Sequence, residues 1–244
     1  TRYRKRYLDI LSNPVTKDIL IKRSKIISTI RQFLDERGFL EVETPTLQPL
    51  YGGTNARPFM TYHNELDANL YLKISDELYL KRIVVGGIEK VYEIDKDFRN
   101  EGVDTTHNPE FTMLECYWAY VDYNEMMNLT EELYEYVALQ VLGTTQVTWN
   151  NISLELKRPW RRISMANAIK EYLNINVEAL SDEELLRKVK EQHNESISLS
   201  TSRGLLIAKL FEGVEDKLIQ PTFVIDFPKE TTALCKPKSN NPDI

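Results

Sequence analysis

The spacing of hydrophobic residues predicts several amphipathic helices in the first 150 residues. Residues 16–37 place apolar side chains three or four positions apart, and Gly38 can adopt the left-handed conformation that often ends a helix. Residues 123–142 repeat this spacing. Between them, Asp76 is placed to cap a shorter helix, ELYLKRIVVGG, which the glycine pair ends.

Alternation of hydrophobic and polar residues predicts strands between these helices. FLEVETP (39–45) and NLYLKI (69–74) alternate over a short distance, and KVYEIDKDFRNE (90–101) and EFTMLECYWAYV (110–121) alternate over a longer one. The last two segments are separated by GVDTTHNP, which is rich in turn-forming residues. We therefore expect an antiparallel hairpin with a long polar tip.

The C-terminal third has a different pattern. Residues 150–217 read as several helices, with Ser164 and Ser181 as N-caps, and residues 218–228 (LIQPTFVIDFP) return to a strand. Mostly antiparallel strands with inserted helices predict the α+β class, because the regular βαβ alternation of a doubly wound sheet is missing. The sequence has no glycine-rich phosphate loop, so a nucleotide would have to be bound by other groups.

Composition narrows the class of protein. With 244 residues, 42% of them hydrophobic, the chain can bury a sizeable core. The net charge of −6 does not indicate a protein that binds nucleic acid through a broad basic face, and the clusters RYRKR and KRPWRR are more typical of solvated surfaces. Two distant cysteines form neither a disulfide framework nor a zinc site. With no bilayer-length apolar run and no secretory pattern, a cytoplasmic protein without a membrane partner is expected.

The predicted hairpin carries the candidate chemistry. Successive strand side chains point to opposite faces, so each strand gathers its odd-numbered residues on one face. In the first strand one face holds Asp97, Arg99 and Glu101, and in the second strand one face holds Phe111, Met113, Glu115, Tyr117 and Ala119. A carboxylate such as Glu115 on a sheet face needs a cation, and the Arg99 guanidinium suits phosphate or carboxylate. Either the two residues pair with each other or each binds a ligand, and the spacing leaves both possibilities open.

Other candidates have ordinary structural explanations by residue type. His107 fits a turn or cap beside Asn108, and Glu77 fits a first-turn carboxylate favoured by the helix dipole. Phe111 and Tyr117 fit core positions, and the glycine pair at Gly53 fits a turn.

Taken together, these segments resemble the class II lysyl-tRNA synthetases. FLDERGFLEVETPTL resembles the first class II motif, which ends in a dimer-interface proline, here Pro45, and FRNEGVDTTHNPEFTMLECYWAY resembles the second motif. GGTNARPF, ELYLKRIVVGG and QPTFVIDFP resemble the lysyl branch. The resemblance implies a homodimer whose antiparallel sheet is flanked by helices. It implies a catalytic core over 1–149, a mostly helical insertion over 150–217, and a return strand of the core within 218–244.

The resemblance also implies an ATP site in the second motif. Arg99 would hold the α-phosphate and act as the catalytic residue, and His107 would meet the terminal phosphates. Glu101 would contact the adenine edge and Phe111 would stack on its ring, with backbone groups near Asn108 positioning the base.

A lysine site is implied beside it. Glu115 and Tyr117 would recognise the ε-ammonium group, Glu77 would hold the α-amino group, and Gly53 would form part of the pocket wall. The implied reaction converts L-lysine and ATP into lysyl-adenylate and pyrophosphate, and then transfers lysine to tRNA(Lys), with Mg²⁺ neutralising the phosphates.

Two parts of the family pattern lie outside these residues, namely the anticodon-binding domain and the third class II motif. The acidic ligands of Mg²⁺ are therefore expected beyond residue 244, with none in the 244 residues. We expect the chain alone to be weak or inactive in lysine-dependent ATP–pyrophosphate exchange. Thr106 stands where some relatives carry arginine. The alternatives are a paralogue that lysylates a protein and a non-catalytic synthetase-like binding module.

Overall fold

A computed structural model describes residues 4–193, 198, 200–232 and 235–244. The chain forms two compact units, Thr1–Leu129 and Thr130–Ile244. Among the helices of the described residues, none combines the length and apolar character needed to cross a bilayer.

The helices predicted in the first unit agree with the hydrophobic spacing, and a further short helix at Arg6–Ser12 was not predicted. In chain order, the helices are α1 (Arg6–Ser12), α2 (Pro14–Asp35), α3 (Glu77–Val85) and the start of α4 (Tyr123–Leu142), which continues into the second unit. The Asn13 side chain caps α2 by accepting a hydrogen bond from the backbone N–H of Val15. Gly38 follows α2 with φ of +77°, as its predicted role in ending the helix requires.

Six strands of the first unit form two sheets. In chain order, they are β1 (Leu40–Glu41), β2 (Leu47–Gln48), β3 (Met60–His63), β4 (Ala68–Leu72), β5 (Lys90–Phe98) and β6 (Glu110–Trp118). One sheet has the order β1-β5-β6, with β1 parallel to β5, and the other has the antiparallel order β2-β4-β3.

The β5–β6 hairpin is the predicted one. Its antiparallel register pairs Val91 with Tyr117 and Asp97 with Phe111, so odd-numbered residues share one face. Pairing continues past the strand end, where the Arg99 N–H donates to the Pro109 carbonyl at 2.9 Å.

The core of the first unit packs the end of α2 against the β1-β5-β6 sheet. Its buried hydrophobic residues include Phe33, Leu34, Phe39, Ile74, Leu80, Val91 and Tyr92. Charged residues interrupt this core at Lys73, Glu93 and Asp97, which are at most 1% exposed. A buried charge is costly without a partner, so these three positions are candidates for functional residues.

The second unit mixes short strands with helices. Its elements are β7 (Gln146–Trp149), β8 (Ile152–Glu155), β9 (Arg161–Ser164), α5 (Met165–Leu173), α6 (Asp182–His193), α7 (Arg203–Glu215) and β10 (Thr222–Ile225). β7 pairs with β8 antiparallel, and β9 pairs with β10 parallel. The helices bury a core that includes Ile169, Leu185, Leu206, Leu210 and Val214.

Two outcomes follow for residues 150–217. The N-caps are confirmed, because Ser164 accepts from the Asn167 N–H at 3.3 Å and Ser181 from the Glu184 N–H at 3.2 Å. Several helices lie there as predicted, and the strands β8 and β9, which were not predicted, lie there as well. Each has only four residues, too few for alternation to stand out. The α+β class is confirmed, whereas the division at residues 149 and 217 stays a prediction.

Candidate active site

The positive end of the hairpin face is Arg99, which directly follows β5. Its Nε donates to the Ile74 carbonyl at 3.4 Å, and its guanidinium carbon lies 5.1 Å from the centre of the Phe111 ring. Among the described residues no ion pair joins Arg99 to Glu115, so of the two possibilities left open, the internal pair is not the one seen. The guanidinium retains N–H groups that a bound anion can use.

Glu115 lies farther along β6 and accepts hydrogen bonds at both oxygens. The Ser75 hydroxyl donates to Oε1 at 3.0 Å, and the Tyr117 hydroxyl donates to Oε2 at 3.0 Å. Burial raises the pKa of Tyr117 above its ordinary value, and the Glu115 charge adds to this, so the phenol stays protonated and able to donate. The carboxylate is therefore fixed in position, and no cation of the described residues forms an ion pair with it.

Gly53 and Glu77 adjoin this carboxylate through Ser75. Gly53 has φ of +94°, and a Cβ there would lie 2.8 Å from Ser75 Oγ, so a side chain is excluded both sterically and conformationally. Glu77 is the first residue of α3, and its N–H donates to Ser75 Oγ at 3.2 Å. Its carboxylate pairs with Lys81 one turn later.

Asp76 does not have its predicted role. It occupies the N-cap position of α3 but makes no capping hydrogen bond, and instead lies 2.7 Å from Nζ of Lys73. The reason is the burial of Lys73, whose ammonium is 0% exposed and also contacts Asp95 at 2.8 Å and Glu93 at 3.0 Å. A buried ammonium interacts more strongly with a carboxylate than a helix terminus does.

The loop residues of the predicted ATP site are exposed, and His107 and Asn108 form hydrogen bonds within their own segment, whereas Glu101 bonds to a different one. His107 Nδ1 lies 2.8 Å from Asp104, whose pKa is lowered mainly by the Thr106 backbone N–H and then by His107. The Asn108 side-chain amide donates to the Glu110 carbonyl at 2.7 Å. The Glu101 carboxylate accepts from the Arg57 N–H at 3.4 Å.

Pro45, the predicted dimer-interface residue, lies after β1. It is exposed, and its carbonyl accepts from Nε2 of Gln48 at 3.0 Å.

Sequence reasoning missed the roles of Ser75 and Asp76 on this face, and it placed Asp97 on a face of its strand without giving it a function. Ser75 positions Glu115, as described above. Asp76, Asp97 and Glu115 each offer an oxygen within 4.8 Å of the others. The sequence feature that pointed to Asp97 was its odd-numbered position in β5, and the register of the hairpin places that position on the same face as Glu115. No sequence pattern predicted that residues 75 and 76 lie on this face, because they belong to the segment after β4 and not to the hairpin.

The face therefore has one arginine beside an aromatic ring and, farther along the hairpin, a group of carboxylates. Such an arrangement can bind a molecule with an anionic part at one end and a cationic part at the other. It contains no nucleophile with an activating base among the described residues, so the chemistry it favours is positioning and charge stabilisation.

Comparison with known proteins identifies the class. Residues 1–244 match the family described as tRNA synthetases class II (D, K and N), and the chain belongs to this family. Within it, the chain is similar to lysine–tRNA ligases. It is 54% identical over 237 residues to lysine–tRNA ligase 2 of Methanosarcina mazei, covering 97% of this chain and 46% of that protein. It is 52% identical over 246 residues to the lysine–tRNA ligase of Pelotomaculum thermopropionicum, covering 100% of this chain and 49% of that protein. The chain thus spans about half the length of these curated relatives.

Proposed function

We propose that the protein activates L-lysine with ATP, forming lysyl-adenylate and pyrophosphate, and transfers the lysyl group to tRNA(Lys) in the cytoplasm. The observation that carries the proposal is the Glu115 carboxylate, which is fixed by Ser75 and Tyr117 and has no cation partner among the described residues. The similarity to lysine–tRNA ligases supports the same assignment.

Lysine fits the acidic part of the face. Its ε-ammonium would lie against Glu115, with the Tyr117 oxygen accepting one of its N–H groups. Glu77 would receive the α-amino group, exchanging its present contact with Lys81 for the substrate. Gly53 leaves the room beside Ser75 that a Cβ would fill. A neutral amino acid would leave Glu115 without a cation, which makes binding unfavourable.

ATP fits the other end of the face. Arg99 would hold the α-phosphate, and Phe111 would stack on the adenine. Glu101 would meet the adenine edge and His107 the terminal phosphates, while backbone groups near Asn108 would position the base. His107 and Asn108 would exchange the contacts that they make within the loop for contacts with the nucleotide, and Glu101 would exchange its contact with the Arg57 backbone.

The proposed mechanism needs no covalent enzyme intermediate. The lysine carboxylate is ionised at neutral pH and attacks the α-phosphorus, so no general base is required. Negative charge grows on the α-phosphate oxygens, where Arg99 donates hydrogen bonds that strengthen in the transition state. The hairpin holds the two substrates next to each other on one surface, which supplies the proximity contribution.

Magnesium would enter with ATP and neutralise its phosphate charge. Among the described residues, the carboxylates close enough to share an ion are Asp76, Asp97 and Glu115. Mg²⁺ keeps several water molecules, whereas Asp76 and Asp97 are 0% exposed and Glu115 is already occupied by two hydroxyl donors. This cluster does not fit a hydrated magnesium ion.

Replacing Arg99 by Ala is expected to lower kcat for lysine-dependent ATP–pyrophosphate exchange by about 100-fold or more, because one transition-state donor is lost. The assay uses the full-length protein that carries these residues. Arg187→Ala, which removes an exposed arginine of α6, is the matched control and should retain normal exchange. Exchange that is stimulated by another amino acid and not by lysine would refute the proposed substrate.

We also propose a homodimer with Pro45 in its interface. The support is a set of exposed apolar residues on the segment that leads to Pro45: Leu11, Val15, Ile19, Leu20, Ile21 and Leu40. Ile19→Glu is expected to convert the dimer to a monomer in sedimentation velocity, since a charge there could not be buried. Leu205→Glu, which changes an exposed leucine of α7, should leave the dimer intact. A wild-type protein that sediments as a monomer at every concentration would rule the dimer out.

A further inference from the structure

Three carboxylates meet on the candidate site although they come from separate elements. Asp97 belongs to β5, Glu115 to β6, and Asp76 to the N-cap of α3, and each contributes an oxygen within 4.8 Å of the others. Three negative charges at this spacing repel one another strongly in a buried environment. The Lys73 ammonium offsets the charge of Asp76, and the charge that remains favours a proton or a further cation on the cluster.

The three members differ in their partners. Asp76 contacts the Lys73 ammonium at 2.7 Å, and Glu115 accepts from Ser75 and Tyr117. Asp97 is 0% exposed, and neither of its oxygens has a hydrogen-bond partner in the described part of the chain. A buried ionised carboxylate without a donor costs several times what a hydrogen-bonded one does. Asp97 is thus the member with neither a hydrogen bond nor an ion pair among the described residues, whereas Asp76 has at least the Lys73 ion pair.

Burial and the charges facing Asp97 together set the direction of its pKa shift. Asp76 and Lys73 face it from the segment between β4 and α3, Glu115 faces it from β6, and Arg99 follows it in its own strand. Burial raises the pKa of Asp97 to about 7. The charges of Asp76 and Glu115 raise it as well, and those of Lys73 and Arg99 oppose them. Burial also raises the pKa of Asp76, to about 6.

We propose that Asp97 is a third acidic residue of the lysine side-chain pocket, which is protonated in the free protein and releases its proton to solvent when the lysine ammonium binds beside Glu115. The inference rests on the proposed function. The exchange is balanced: one positive charge enters the cluster as the ammonium and one leaves as H⁺. Asp97 then acts as a specificity residue, because it is ionised only when a cation is present to stabilise it.

The consequence is a pH-dependent affinity for lysine. A proton competes with the ammonium, so the affinity should rise by up to about tenfold per pH unit below pH 7 and level off above it. The amino groups of lysine itself titrate well above this window, so they do not produce the slope. Titration calorimetry of the full-length protein with L-lysine, without ATP, in two buffers of different ionisation enthalpy, measures both the affinity and the protons released.

Wild-type protein is expected to release up to one proton per lysine between pH 6 and 7. Asp97→Asn should bind lysine with little pH dependence and almost no proton release. Asp216→Asn, an exposed aspartate after α7, is the matched control and should behave as wild type. Proton release that is unchanged in Asp97→Asn would overturn the inference, as would an affinity lowered equally at every pH, which indicates a structural role alone.

The wild-type measurement tests the inference by itself, even if the Asp97→Asn variant fails to fold. Lysine binding by the wild type without proton release between pH 6 and 7 would overturn the role of Asp97 and leave the proposed function intact. A folded wild type that binds no lysine at any pH would remove the proposed function, and the inference with it.

Discussion

Lys73→Met is expected to lower the free energy of unfolding of the first unit by about 3–5 kcal/mol, the cost of removing one partner from a buried ion pair. The Lys73 ammonium is 0% exposed and contacts Asp76, Glu93 and Asp95 within 3.0 Å. Burial alone would lower the pKa of Lys73, but its hydrogen bonds to the three carboxylates raise the pKa above its ordinary value. Methionine fills a similar volume and leaves two buried carboxylates, Asp76 and Glu93, without their cation.

Hydrogen exchange of the β5 and β6 backbone amides measures the loss of unfolding free energy within the first unit. Lys22→Met is the matched control: its pair with Asp18 on α2 is about half exposed, so the change should stay within about 0.5 kcal/mol. The loss should shrink as pH falls, because carboxylates without their cation have raised pKa values and protonate at little cost. An equal loss in both variants at pH 8 would contradict the buried-network explanation.

Glu115→Gln is expected to weaken lysine binding by about 2–5 kcal/mol, or roughly 30-fold to several thousand-fold, and to leave ATP affinity unchanged. Glutamine keeps the size of the side chain and removes only the charge that balances the ammonium. Its amide also places an N–H donor where the ammonium donates, which adds a repulsive contact. Titration calorimetry with lysine and with ATP separately, on the full-length protein, measures both affinities.

The matched control for this variant lies in the same strand. Glu110→Gln removes an exposed carboxylate at an even position of β6, where it pairs with Lys96 at 3.2 Å, and lysine binding should stay normal. Normal lysine affinity in Glu115→Gln would show that the ammonium binds elsewhere. A parallel loss of lysine and ATP affinity would indicate a general distortion of the hairpin.

Local patterns predicted the part of the site that lies on the hairpin. Alternation gave β5 and β6, the turn-rich tip gave their pairing, and the odd-numbered face then followed from strand geometry. The position of α4 was predicted to the residue, because apolar spacing over 20 residues is a strong signal. The resemblance to lysyl-tRNA synthetases supplied roles that geometry alone left open, such as those of Arg99 and Glu115.

The contacts that sequence reasoning missed are the long-range ones. Asp76 had a complete local explanation as a helix cap, and only the fold shows that Lys73 draws its side chain away. Whether Arg99 pairs with Glu115 likewise depended on another segment, because Arg99 donates to the Ile74 carbonyl and Glu115 accepts from the Ser75 hydroxyl. Spacing along the chain does not report which buried charges meet across elements, because several partners of the right sign compete for each.

Because Arg99 is separated from the carboxylates, the electrostatic potential of the candidate pocket changes sign along the strand face. One end of the strand face is positive and the other is negative. The electric field of these charges would therefore orient an approaching amino acid with a cationic side chain before it binds. In the proposed site, the field would turn its carboxylate toward Arg99, where the α-phosphate would lie, and its side chain toward Glu115. A ligand entering in the reverse orientation meets like charge at both ends. The same charges that select the substrate would therefore also align its reacting group.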